Sequence, residues 1–219
     1  MIELAKHLVD FFIHIDRHLQ GVIAHYGLWT YALLFVVIFA ETGFVVTPFL
    51  PGDSLLFAAG ALSVGSVLNV HVLVGVLAIA AVGGNLLNYA IGAALGPKAF
   101  AREDSWLLRR RHLDRAHAFF EKFGGRSIVL SRFVPIVRTF VPFVAGVARM
   151  PYARFFAFNL AGGCAWIGLL TYLGYFFGGI EVVRRNFSLV VVAIIIISVL
   201  PIGFELLRAL RPSPSKSAA

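Results

Sequence analysis

Long stretches of this chain are apolar enough to lie in a lipid bilayer, and inside them stand four ionisable residues, Glu41, Asp53, Arg132 and Arg138. A bilayer leaves no water to satisfy backbone N–H and C=O groups, so apolar runs of this length read as helices that satisfy themselves. A charge at mid-membrane is unfavourable by roughly 2.5–3.5 kcal/mol even on the lenient insertion scale, and intramembrane charges mark ion, proton or substrate paths by default. Two acids and two bases facing one another would offset much of that cost. Structural ion pairing that fixes helix packing is the plainer reading; both pairs, however, flank prolines that break helices.

Of 219 residues, 59% are hydrophobic and 14% charged, too little polar surface for a soluble domain, so the chain reads as an integral membrane protein. Its length suits one membrane domain. The net charge of +8 comes from Lys and Arg clustered beside apolar segments, which fits anionic lipid headgroups better than nucleic acid. Cys164 stands alone in an apolar helix, so no intrachain disulfide is expected. Glu3, Asp10 and Asp16 interrupt the start, which lacks the basic and apolar regions of a signal peptide and is expected to be retained.

Residues 1–27 read as an amphipathic interfacial helix, with Leu4, Leu8, Phe11, Phe12, Ile15, Leu19 and Val22 on one face and Lys6, Asp10, Asp16 and Arg17 opposite. His7, His14, His18 and His25 form a row at its border, read as a polar row at headgroup level; no metal site and no cofactor is expected. Residues 28–41 are apolar but shorter than the roughly 20 needed to cross. Gly43, Pro48, Pro51 and Gly52 then break the helix before a second half-helix resumes at 53–64. The stretch 28–65 is therefore expected to be a re-entrant hairpin with Glu41 and Asp53 flanking its tip.

Residues 69–95 form a span in which Gly84, Gly92 and Gly96 admit close helix approach. Asn85, Asn88 and Tyr89 on it are interhelical hydrogen-bond formers or, more sharply, cavity lining. The stretch 97–126 carries eight Lys or Arg against four acids, and within it 105–123 reads as a second interfacial helix with Trp106, Leu113, Phe120 and Phe123 as its apolar stripe. Residues 127–148 are again apolar, broken by Pro135 and Pro142 and carrying Arg132 and Arg138, and read as a second re-entrant hairpin. Residues 152–178 span, 188–209 span last with Ile194 to Ile197 facing lipid, and 210–219 form a disordered tail.

The order interfacial helix, broken hairpin, glycine-bearing span thus occurs twice. Each copy crosses once, so the expected fold is an all-α membrane protein of two inverted repeats plus a C-terminal transmembrane helix. Inverted repeats whose discontinuous helices meet near the midplane are a transporter signature. Loop charge agrees: if 127–148 re-enters, the basic 97–126 segment and the basic tail share one side, which the positive-inside bias makes the cytoplasm.

Acids in one hairpin and arginines in the other would meet in a partly wet cavity. Arginine's planar fork suits phosphate and carboxylate, so Arg132 and Arg138 are the expected headgroup binders. Glu41 and Asp53 would couple binding to protons or hold the arginines by ion pairing.

At these residues the chain resembles the DedA family of membrane proteins, whose VTT domain is shared with eukaryotic lipid scramblases. The resemblance covers roughly residues 25–178. It is carried by Glu41-Thr42-Gly43, Pro48-Phe49-Leu50-Pro51-Gly52-Asp53, Gly92 and Gly96 after Tyr89, and Arg132-Phe133-Val134-Pro135-Ile136-Val137-Arg138. Ala145-Gly146 with Met150-Pro151, then Phe155, Asn159, Gly163 and Trp166, complete an ordered set that is specific together. An acid often stands in the family where this chain has Asn85, so any role of that acid is absent here. The resemblance implies a bacterial inner-membrane protein that moves lipid, with undecaprenyl phosphate or a phospholipid as substrate and proton motive force as driver. It also implies links to envelope integrity, cell division and cationic-peptide resistance. Its important acids and arginines fall on Glu41, Asp53, Arg132 and Arg138, with Asn85, Tyr89, Asn159 and Trp166 as candidate cavity lining.

The leading function is a flippase for an anionic lipid. The alternative is a proton-coupled transporter of a small solute or cation, which closed aqueous pockets rather than lipid between the hairpins would favour. A lipid phosphatase is disfavoured because a histidine is wanted where Arg138 stands, and neither HExxH nor GxSG occurs. A scaffold for envelope proteins would tolerate neutral substitutions at all four charges.

Overall fold

A computed structural model of the chain describes residues 15–44, 52–95, 117–118, 120–187, 189–190 and 192–194, and among these residues there are helices and turns but no strand. The expected elements at 1–14 and 97–116, most of 188–209, the tail 210–219, and Pro48, Pro51 and Gly96 lie outside the described residues. Helix α1 covers Ile15–Tyr26 and sets Leu19 into the core while His25 stays exposed. Gly27 closes it in the left-handed region at φ 52°, a conformation open to glycine, with its N–H bonded to the Ile23 carbonyl.

Two short apolar helices follow, α2 at Trp29–Gly43 and α3 at Gly52–Leu62. With 15 and 11 residues they reach about 22 and 16 Å, short of a bilayer core of about 30 Å. Helix α4, Val70–Leu95, and helix α8, Tyr152–Gly178, are long and apolar enough to cross a membrane. Asn69 starts α4 by accepting hydrogen bonds from the N–H groups of His71 and Val72 at 2.9 and 3.3 Å. Both long helices leave large apolar side chains uncovered, Val72 and Ile79 on α4 and Leu169, Leu173 and Phe176 on α8. Such a belt suits lipid.

Between them the chain is fragmented. A 3₁₀ turn at Gly124–Arg126 leads into α5, Ser127–Leu130, and a second turn at Ser131–Phe133. The break falls at Val134, whose φ −120° and ψ 101° are extended because the ring of Pro135 excludes the helical region for the residue before it. Helix α6 is Pro135–Arg138 and α7 is Phe140–Val147. Pro142, expected to break this hairpin, lies inside the first turn of α7, where its missing N–H is one that a helix leaves unbonded anyway. Its ring excludes a helical bond to the Arg138 carbonyl, so the interruption it causes sits three residues earlier, at Thr139. After α8 comes the short α9, Glu181–Arg185. Phe187, Val190 and Ile194 then put one helical face on the core, which corrects the expectation that Ile194 faces lipid.

Helix α2 packs on α4 and α5 on α8, while α3 packs on α8 and α7 on α4, and the two long helices cross each other. Two of these contacts are made backbone to backbone. A Cβ on Gly60 would strike the Thr171 carbonyl and one on Gly174 the Phe57 carbonyl; likewise Gly146 faces the Tyr89 carbonyl and Gly92 the Phe143 carbonyl. The same Phe-x-x-Gly spacing, 57–60 and 143–146, thus meets the same x-x-Gly spacing on the partner helix, 171–174 and 89–92. One apolar cluster holds Leu34, Ile38, Leu56, Leu73, Leu77 and Ile167, and a second holds Ile128, Phe140, Phe143, Val144, Met150 and Phe155. Between the two clusters, Asn85 on α4 and Asn159 on α8 mark a buried polar layer.

Candidate functional site

The polar layer is assembled from helix ends. Glu41 lies in the last turn of α2 and Asp53 in the first turn of α3, where the helix dipole favours an acid. Gly52 leaves room beside them, because a side chain there would displace the Glu41 carboxylate from its present position. Arg138 ends α6 and reaches both acids: Nη1 donates to Asp53 Oδ1 at 3.0 Å and Nη2 donates to Glu41 Oε1. Glu41 is 0% exposed, Arg138 9% and Asp53 21%. The Trp166 indole N–H also donates to Asp53 Oδ1, at 3.0 Å, and the Arg138 guanidinium lies 5.4 Å from the centre of the Trp166 ring.

Arg132 also lies against that indole, 5.8 Å from its centre and 3% exposed. No carboxylate pairs with it among the described residues. Its Nη2 donates to Asn159 Oδ1 at 2.7 Å and, at 3.4 Å, to the Ala81 carbonyl. Asn159 is held by donating to the Val82 carbonyl at 3.0 Å and accepting from Asn85 at 3.1 Å, so this network ties α4 to α8. Gly162 and Gly163 open the surface of α8 for the arginine stem: a Cβ on Gly163 would lie 3.2 Å from the guanidinium. The four charges are therefore not two equal pairs but a three-member cluster and a separate arginine.

Helix breaks leave carbonyls without intrahelical partners. Asn88 satisfies one from each break, donating to the Thr139 carbonyl at 2.7 Å and the Thr42 carbonyl at 3.3 Å. Between the breaks lies a cavity of about 10 Å³, room for about one water. Its lining comprises Glu41, Thr42, Asn85, Arg132, Arg138, Thr139 and Trp166.

Of the residues singled out from sequence, the structure gathers Glu41, Asp53, Arg138 and Trp166 into direct contact and sets Arg132 and Asn85 on the same cavity. Asn159 stands one hydrogen bond behind it. Tyr89, expected on the cavity wall, points away: its hydroxyl donates to the Met150 carbonyl and its ring stacks on Phe155 at 4.4 Å, filling the second apolar cluster. Gly43 packs against Gly84, a helix crossing rather than part of the polar layer. Sequence reasoning missed Thr139, a common residue in a short break. It also missed the bond between His71 Nδ1 and the Tyr172 hydroxyl, 2.7 Å long and 101 residues apart, for which no local signal exists.

Two long apolar helices joined by shorter broken ones around a buried ion cluster define a helical membrane protein. Residues 50–176 match the VTT domain. The chain belongs to the DedA family. It is 52% identical over 209 residues to Protein DedA of Escherichia coli K12, covering 94% of this chain and 95% of that one. It is 44% identical over 170 residues to an uncharacterized membrane protein of Mycobacterium tuberculosis H37Rv, with 77% and 74% covered. It is 34% identical over 179 residues to the inner membrane protein YghB of Escherichia coli K12, with 81% and 78% covered. No solved structure matches it significantly.

Proposed function

We propose that the protein carries an anionic lipid across the bacterial inner membrane, with the headgroup passing through the polar layer between the helix breaks while the chains stay in the bilayer. The observation that carries this reading is a buried cluster with two guanidinium groups on one cavity, reached by helices too short to cross. Guanidinium groups suit phosphate, and undecaprenyl phosphate is the substrate that the family resemblance favours. In this reading 28–65 and 127–148 re-enter the membrane from opposite faces as halves of an inverted repeat, and the C-terminus is cytoplasmic. The exchanged packing of α3 on α8 and α7 on α4 supports it, since an inverted two-fold would swap those pairs.

With all four groups ionised the polar layer as a whole is neutral, the two acids and Arg138 of the cluster together with the separate Arg132. An incoming anion leaves it at −1, and a proton on Glu41 or Asp53 restores neutrality, which gives proton coupling a reason in charge balance. A small cation would have to displace Arg138 from both acids, so the geometry supports an anion over the solute or cation alternative. Nothing in the cluster resembles a nucleophile and base poised for catalysis, and the proposed activity is transport, not an enzymatic reaction.

The test is translocation of a fluorescent lipid phosphate in proteoliposomes, with and without a pH gradient. Arg132→Ala with Arg138→Ala should lower the rate at least tenfold, about 1.4 kcal/mol of barrier. Wild-type rates in the double variant would end this assignment.

A further inference from the structure

Among the described residues, Arg138 already spends both terminal nitrogens on carboxylates, whereas Arg132 is bonded to an amide and a carbonyl. Three buried polar atoms of residues lining the cavity have no hydrogen-bond partner among the described residues: two donors, Arg132 Nε and the Thr139 hydroxyl, and one acceptor, Glu41 Oε2, which a proton on that carboxyl would satisfy. Buried polar groups are satisfied in the great majority of cases, so two unsatisfied donors on one cavity call for an acceptor. The missing partner has to accept rather than donate with respect to the guanidinium, which has donors alone.

We infer that Arg132 and Thr139 form the seat of a phosphate-type oxyanion, that Arg138 is an internal strap held by Glu41 and Asp53, and that Asn159 is a specificity-determining residue because it keeps Arg132 from being neutralised within the protein. The inference rests on the anionic-lipid reading and divides the roles of the two arginines within it. The cavity as it stands holds about one water, so the seat has to widen for a tetrahedral oxyanion, one of whose oxygens then takes Arg132 Nε and another the Thr139 hydroxyl. Asn159 Oδ1 gives Arg132 an acceptor without a charge, and Asn85 behind it, donating to the same oxygen, likewise adds none. A carboxylate at position 159 would sit 2.7 Å from the guanidinium and compete with any arriving anion. Trp166 contacts both cations, its ring centre 5.8 Å from the Arg132 guanidinium and 5.4 Å from that of Arg138.

The experiment uses the full chain in nanodiscs, with phosphatidic acid in a phosphatidylcholine background as one probe and inorganic phosphate as the other. Binding is read by ligand-dependent thermal stabilisation, which tracks occupancy of the folded state. Wild type should saturate with phosphatidic acid. Asn159→Asp should weaken that binding at least tenfold, and Thr139→Val about tenfold, the value of a hydrogen bond to a charged group. Thr139→Val should at the same time melt no lower than wild type without ligand, since it removes a hydroxyl that has no partner; a merely structural threonine would lose stability instead. Should Asn159→Asp not fold, Thr139→Val decides alone. Competition by inorganic phosphate would assign the seat to the oxyanion itself, and its failure to compete would assign it to a lipid headgroup; either supports the inference. Wild-type affinity in Thr139→Val and in any folded Asn159→Asp, with saturable wild-type binding, overturns the inference and leaves the anionic-lipid reading standing. No saturation of wild type by either probe overturns both.

Discussion

At the scale of single residues the cluster is held by an imbalance of burial. Glu41 is 0% exposed and Asp53 21%, yet both bind the same guanidinium. Leaving a buried charge with no partner is unfavourable by about 3–5 kcal/mol, an upper limit here because Arg138 keeps its second acid. Glu41→Ala should therefore destabilise by up to that amount and Asp53→Ala by clearly less, since solvent reaches Asp53 and already weakens its pair. Thermal unfolding in detergent measures both, and the opposite ranking would show that the pairing drawn here is not what holds the cluster. That these residues matter was legible, because a charge inside apolar sequence stands out. The pairing was not. Glu41 and Arg138 are 97 residues apart, and one arginine taking both acids while the other takes an asparagine depends on backbone positions that no local pattern encodes.

Elements lock where backbones touch. Gly60 and Gly174 join α3 to α8, and Gly92 and Gly146 join α4 to α7, each opposite a carbonyl that cannot move without its helix. Gly60→Ala or Gly146→Ala should destabilise by about 1–3 kcal/mol through overpacking, whereas Gly75→Ala and Gly168→Ala meet nothing within 4 Å and should raise stability by up to about 1 kcal/mol. Melting temperatures of the four variants check this, and a uniform response would deny the close packing. The sequence marked Gly92 as a small residue able to admit a helix, but glycines that pack and glycines that face lipid look alike until the partner is known. Helix ends were legible for a clearer reason: Pro135 forces Val134 out of the helical region whatever surrounds it. Pro142 acts on the carbonyl four residues back, so the interruption it causes falls at Thr139 rather than at its own site.

For the whole molecule the arrangement in the membrane decides whether the polar layer can serve two sides. Helix α8 has 27 residues, about 40 Å, enough to separate Arg154 near its start from Arg185 beyond its end. Lys122, Arg126, Arg149 and Arg154 are all exposed, and the first two precede the broken α5–α7 stretch while the last two follow it. If that stretch dips in and returns, all four lie on one face; if it crosses, the pairs are parted. Cysteines replacing Arg126, Arg149, Arg154 and Arg185 in turn, in a Cys164→Ser background, can be probed from each side with a membrane-impermeant thiol reagent. The expected pattern is labelling of 126, 149 and 154 from the cytoplasm and of 185 from outside, since the positive-inside bias places the basic face inward. Labelling of 126 and 149 from opposite faces would make the stretch a crossing segment, and the two helix breaks would no longer approach the cluster as matching halves. Labelling of 154 and 185 from one face would mean that α8 does not span. With 126, 149 and 154 inward and 185 outward, one helix break reaches the buried charges from the cytoplasmic side, leaving α2 and α3 to approach the same charges from the other. A headgroup could then be handed across the layer without either pair of short helices ever crossing the bilayer.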